Sequence, residues 1–102
     1  MSAYMIIRVR ILDREKFIQG YAPAASRLVE QFGGQYLLRA PNCEVLEGGS
    51  DANQSVVISK WPDRQAALDF WHSPEYQEVK KMRAGIAECE VVLAATPSHA
   101  GS

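Results

Sequence analysis

FWHSPEYQEVKKMRAG, residues Phe70–Gly85, is the stretch whose reading decides how this chain is built. Ser73-Pro74 interrupts an otherwise helical pattern. Ser73 suits a helix N-cap, Pro74 suits the first helical position, where an N–H has no partner anyway, and Glu75 complements the helix dipole. One helix therefore ends near His72 and another begins at Pro74, with its apolar stripe at Tyr76, Val79, Met82 and Ile86. Moving outward, Pro62-Asp63 opens the first piece, with Asp63 as N-cap and Ala67, Phe70 and Trp71 facing inward. Gln54–Trp61, centred on Val56-Val57-Ile58, reads as the strand before this broken helix, and Glu88–Ala95 as the strand after it.

The N-terminal half repeats the arrangement. Tyr4–Leu12 reads as a strand whose odd positions, Met5, Ile7, Val9 and Ile11, are purely apolar and whose even positions are mixed. Asp13 caps a helix that runs to about Phe32, with Phe17, Tyr21, Ala25, Leu28 and Phe32 along one face. Gly20 and Pro23 predict a kink between them, or two pieces end to end. Gly33-Gly34 ends the helix through the left-handed conformation. Gln35–Ala40 is the next strand, with Tyr36 and Leu38 on one side and Leu37 and Arg39 on the other. Pro41-Asn42 makes a turn or bulge, Glu44–Glu47 continues extended, Gly48-Gly49 breaks it, and Ser50–Asn53 is a polar loop. The order β-α-β-β-α-β is the ferredoxin-like pattern: an α+β subunit whose four-stranded antiparallel sheet carries its helices on one face. The expected layout is a single domain over residues 1–96 with a flexible tail over 97–102.

The chain has 102 residues, a formal net charge of −1, 47% apolar and 23% charged residues. Those are globular proportions at single-domain length. The charge balance speaks against a nucleic-acid partner. Cys43 and Cys89 make neither a disulfide framework nor a zinc set. Cys89 reads as a small core residue and Cys43 as a turn or strand position. There is no GxGxxG, Walker, GxSxG or HExxH motif, so neither a cofactor nor a metal is implied. No run approaches a membrane span or a signal peptide, and a cytoplasmic protein is the expectation.

Two features point to assembly. The first and third strands are apolar on both faces, with Ile6 beside Ile7, and Val56 and Ile58 beside Val57. A sheet open to water alternates more cleanly, so a homodimer with sheets face to face is expected. Arg8 and Arg10 have the same two-residue spacing as Glu88 and Glu90 on the neighbouring strand, which favours cross-strand ion pairs over anion binding.

GGQYLLRA at Gly33–Ala40, VLEG at Val45–Gly48 and SPEYQEVKKMRAG at Ser73–Gly85 together resemble the domain of unknown function 1330 family, over roughly Tyr4–Ala95. The resemblance implies membership of the dimeric α/β-barrel superfamily, hence a homodimer whose sheets form a barrel. It implies no reaction. The wider superfamily includes cofactor-free monooxygenases, haem-degrading enzymes, lactone isomerases and stress-response proteins, and carrying any of these over is fold analogy. The chain departs from the family at His72, where Asn or Asp is more usual.

His72 is the candidate catalytic residue, because imidazole exchanges protons near neutral pH; a polar residue at a helix junction is the plainer reading. His99 falls in the tail and is discounted. Arg39 and Glu47 can form an ion pair, or Arg39 can hold a ligand carboxylate or enolate. Tyr36, Trp61, Trp71 and Tyr76 can wall a pocket for a flat apolar molecule, although aromatics at element ends more often pack a core. Lys80, Lys81 and Arg83 read as a solvated basic face. Two functions stay open. One is a binder of a small aromatic or carboxylate-bearing molecule beside the sheet, extending to a cofactor-free enzyme of monooxygenase or isomerase type. The other is a non-catalytic structural or interaction protein.

Overall fold

Strand β1 (Ala3–Ile11) is central because both of its edges are used. It pairs antiparallel with β3 (Gln54–Trp61) on one side and with β4 (Ala87–Ala95) on the other, and β2 (Gln35–Ala40) pairs antiparallel with β3. The strand order is β2-β3-β1-β4. Helices α1 (Arg14–Lys16), α2 (Ala22–Gln31), α3 (Arg64–His72) and α4 (Pro74–Lys80) complete the ferredoxin-like α+β subunit expected from the sequence. This computed structural model describes residues 2–48 and 54–95. The expected loop at Ser50–Asn53, Gly49, and the tail with His99 lie outside the described residues. No helix among the described residues is long and apolar enough to cross a membrane.

The odd positions of β1 supply the floor of the core. Ala3, Met5 and Val9 are buried, and the register sets Met5 beside Ser59 and Leu93, and Val9 beside Ser55 and Cys89. Above this floor lie Tyr21, Ala25 and Val29 from the first helical segment and Ala67, Phe70 and Tyr76 from the second. Trp61 ends β3 at 1% exposure and donates from Nε1 to Ser59 Oγ at 2.9 Å, so its one polar atom is satisfied inside. Phe70 sits against Trp61, Tyr76 and Phe32, which welds α3 to the strand and to α2.

The caps form where the side-chain chemistry places them. The Asp13 carboxylate accepts from the Lys16 N–H, Asp63 from Ala66, and Ser73 Oγ from Tyr76 at 3.0 Å. Ser73 Oγ also donates to the Phe70 carbonyl at 2.8 Å, so one hydroxyl closes α3 and opens α4. α2 ends in a Schellman arrangement. Gly34 N–H reaches the Val29 carbonyl, Gly33 N–H reaches that of Glu30, and Gly33 has φ +92°. On the outer face Arg8 meets Glu90 at 3.8 Å and Arg10 meets Glu88 at 3.3 Å, the expected cross-strand pairs.

One local expectation is sharpened and two are corrected. The irregularity expected near Gly20–Pro23 is a π-helical turn over Phe17–Tyr21 that joins α1 and α2 end to end. There the Ala22 N–H bonds to the Phe17 carbonyl, one residue further back than in an α-helix, and Pro23, which has no N–H to give, sits in the first turn of α2. β2 does not alternate as expected, because its register shifts between Tyr36 and Leu38. Glu44–Glu47 forms no strand. Cys43 N–H still bonds to the Gln54 carbonyl at 2.7 Å, but beyond it the chain leaves the sheet, and Leu46 is 90% exposed.

Candidate functional site

A cavity of about 110 Å³ lies between the sheet and the helices. Its floor comes from Met5, Ile7, Val9, Val57 and Ser59, and its roof includes Phe17, Ala25, Val29 and Phe70. Polar groups enter from three directions. Tyr36 and Arg39 come from β2, Tyr21 and Ser26 from the first helical segment, and Tyr76, Arg83 and Cys89 from α4, the 3-10 turn after it and β4. No Asp, Glu or His lines the cavity among the described residues. Two arginines thus line a largely apolar space, and no carboxylate is among its described lining residues.

The two backbone irregularities build this site. The π turn carries Tyr21 into the interior, where its hydroxyl meets that of Tyr76 at 2.6 Å. π turns inside helices are frequent at functional sites, where the extra residue re-aims a side chain. The β2 bulge acts likewise on the sheet. Tyr36 opposes Ser59 and Arg39 opposes Val57, and both of those line the cavity, so two residues three apart share one face. The Arg39 guanidinium then lies 4.4 Å from the Tyr36 ring centre.

The electrostatics follow from burial. Tyr21 is pushed far above the usual phenol range, first by burial and then by the adjacent Tyr76. Burial also raises Tyr76 and Tyr36, the latter against the Ser26 hydroxyl and the Arg39 charge. All three phenols therefore remain protonated donors at neutral pH. Cys89 is raised by burial while Arg83 works in the opposite direction. For Arg83 burial disfavours the charge, but Tyr76, Tyr21 and Cys89 more than offset it, and the guanidinium stays protonated.

Of the residues singled out from sequence, Tyr36, Arg39 and Tyr76 line the cavity, whereas Glu47, Trp61, Trp71 and His72 do not. His72 is exposed at the end of α3 and is not placed to move protons in the cavity. Trp61 is core, and Trp71 packs on Tyr76 from the far side with Lys80 over its ring. Glu47 is exposed beyond β2, and Arg39 stacks on Tyr36 instead of pairing with it. Tyr21, Arg83 and Cys89 belong to the site although their sequence surroundings suggested a core stripe, a solvated face and a small core residue. The signal for Tyr21 was Gly20–Pro23, the irregularity beside it. Among the described residues no group of three or more His, Cys, Asp or Glu side chains is placed to hold a metal ion.

The same architecture recurs in solved structures. RPA0582, a protein of unknown function from Rhodopseudomonas palustris, superposes with a TM-score of 0.76 at 18% identity, over 96% of this chain and 84% of that one. A dimeric ferredoxin-like protein of unknown function from Jannaschia sp. CCS1 gives 0.72 at 13% identity, over 94% and 100% of the two chains. SnoaB, a cofactor-independent oxygenase from Streptomyces nogalater, gives 0.69 at 13% identity, over 99% and 98%. At such identities the likeness is one of fold. No curated protein sequence matches the chain. The broken helix, the bulged β2 and the motifs they carry sit inside one continuous match, in which the model for a domain of unknown function (DUF1330) spans residues 2–96, and the chain belongs to that family.

Proposed function

We propose that this protein binds a small, largely apolar molecule carrying one acidic group in the cavity between sheet and helices, and that it does so as a homodimer. The observation that carries the reading is the lining itself: apolar walls, two guanidinium groups and no carboxylate among the described residues. Cations beside an apolar cavity and without an acidic partner favour an anion, and apolar walls favour a hydrocarbon body attached to it. At about 110 Å³ the space is somewhat smaller than the ~150 Å³ cavity known to take up benzene. It suits a single ring or a short acid with its acidic end toward solvent-exposed Arg39 or half-buried Arg83. Calorimetric titration with benzoate, 4-hydroxybenzoate, small 2-keto acids and neutral toluene tests this. The acids are expected to bind, and Arg39→Gln to weaken them several-fold. Absence of saturable binding across the panel overturns it.

A second reading, cofactor-free chemistry on the bound acid, is supported by the Tyr21–Tyr76 hydroxyl pair, which offers hydrogen-bond donors in a buried setting. SnoaB, named as a cofactor-independent oxygenase, has the same fold, which is an analogy and no more. His72→Ala leaves any such activity unchanged and Tyr76→Phe reduces it. Equal inertness of wild type and Tyr76→Phe toward phenols and keto acids, followed by oxygen consumption and by spectroscopy, rules it out. The homodimer rests on the open sheet face and is tested by molecular mass in solution.

A further inference from the structure

We infer that Tyr21, Tyr76 and Arg83 form a subsite for an anionic oxygen of the phenolate or enolate type, at the β4 end of the cavity. This deepens the proposed binding function and rests on it. The two hydroxyls are 2.6 Å apart and can share only one hydrogen, so one phenol donates to the other. The accepting phenol keeps its own O–H, and no other acceptor meets either hydroxyl among the described residues. One donor is therefore left for a ligand.

Arg83 supplies the charge. It is half-buried, its guanidinium lies 5.7 Å from the Tyr21 ring centre, and none of the ion pairs among the described residues includes it. Every other titratable group facing this end is neutral or cationic at neutral pH: Cys89 from β4, with Tyr36 and Arg39 across the floor on β2. β1, β3 and the helices present no carboxylate to the cavity. A donor and an unneutralised cation converge where Met5, Val9, Phe17 and Phe70 exclude water, and this stabilises a single oxygen bearing negative charge. Phe17 is tilted against Tyr21 at 5.3 Å, and Phe70 against Tyr76 at 4.5 Å. Aromatic surface therefore surrounds the subsite, which suits an oxygen attached directly to a ring or a conjugated carbon better than one at the end of a flexible chain.

The probe is 4-nitrophenol, whose phenol and phenolate absorb at different wavelengths. A pH titration of the bound probe is expected to show its apparent pKa lowered by about one unit, equivalent to about tenfold tighter binding of the phenolate than of the phenol. Arg83→Gln and Tyr76→Phe are expected to abolish most of the shift. Saturable binding with an unshifted or raised pKa overturns the subsite but leaves the cavity a ligand site. A shift that survives Arg83→Gln likewise overturns it. Failure of 4-nitrophenol and of the carboxylate panel to bind overturns both readings together. Arg83 lies outside the fully buried core, so its variant serves even where Tyr76→Phe fails to fold.

Discussion

Gly34 shows how closely this core is fitted. A Cβ added there would lie 2.7 Å from two atoms of the Trp61 ring and 2.8 Å from Val29 Cγ1. Trp61 is held in place by its Ser59 hydrogen bond and by Phe70, so it has little room to retreat. Gly34→Ala is expected to cost about 1–3 kcal/mol, and Trp61→Ala about 3–5 kcal/mol, both read from denaturant unfolding. A Gly34→Ala protein as stable as wild type would show that α2 can shift away from the strand. Cys89 gives a second handle, on charge. Arg83 favours the thiolate against burial, so removing the guanidinium leaves burial unopposed. In a Cys43→Ser background, Arg83→Gln should slow iodoacetamide labelling of Cys89 at pH 8, and an unchanged rate would mean that the guanidinium does not reach the sulfur.

Ser73 is the element-level counterpart, since one hydroxyl serves both α3 and α4. Ser73→Ala removes the N-cap of α4 and is expected to cost about 1–2 kcal/mol. Ser73→Asp restores the acceptor but not the donor to the Phe70 carbonyl, so it should recover only part of the loss. This junction was legible because capping is local chemistry: Ser, Pro and Glu in that order can mean little else. The strands were legible for the same reason, with β2 and β3 falling at their expected bounds. What escaped were the two places where one extra residue is taken up. Period-2 alternation put Arg39 on the face opposite Tyr36, and the bulge reverses that. Helical periodicity left Tyr21 in a core stripe, and the π turn gives it a partner 55 positions away in the sequence. Gly20–Pro23 marks where the helix is irregular, but which side chain the π turn re-aims, and where β2 takes up its extra residue, are selected by packing across the fold rather than by neighbours in sequence. Because the site is assembled by these two features, its location was less readable than the fold that holds it.

For the whole molecule, buried phenols make stability depend on pH in one direction. Tyr21, Tyr36 and Tyr76 all have raised pKa values in the folded chain, whereas the unfolded chain ionises them near 10. Below that value both states hold the protons and the phenols add no pH dependence. Above it the unfolded state releases protons that the folded state retains, so stability falls as pH rises through 10. Alkaline unfolding is expected to begin there, and Tyr21→Phe should flatten the limb. The open face of the sheet sets the other global property. Ile6, Val56, Ile58 and Val92 lie on that face, Val92 is 58% exposed, and the acidic and basic pairs of β1 and β4 lie beside them. The molecule measures 42 × 35 × 17 Å along its principal axes, an outline broad enough to accommodate the roughly 800 Å² per partner that stable dimers bury. Val92→Asp would set a charge against that apolar surface when a second copy covers it, and would be harmless on a monomer. Light scattering at micromolar concentration should therefore give twice the chain mass for wild type and a single chain mass for Val92→Asp. A wild-type monomer would mean that the apolar strip is left to water, and the homodimer would then have to be abandoned.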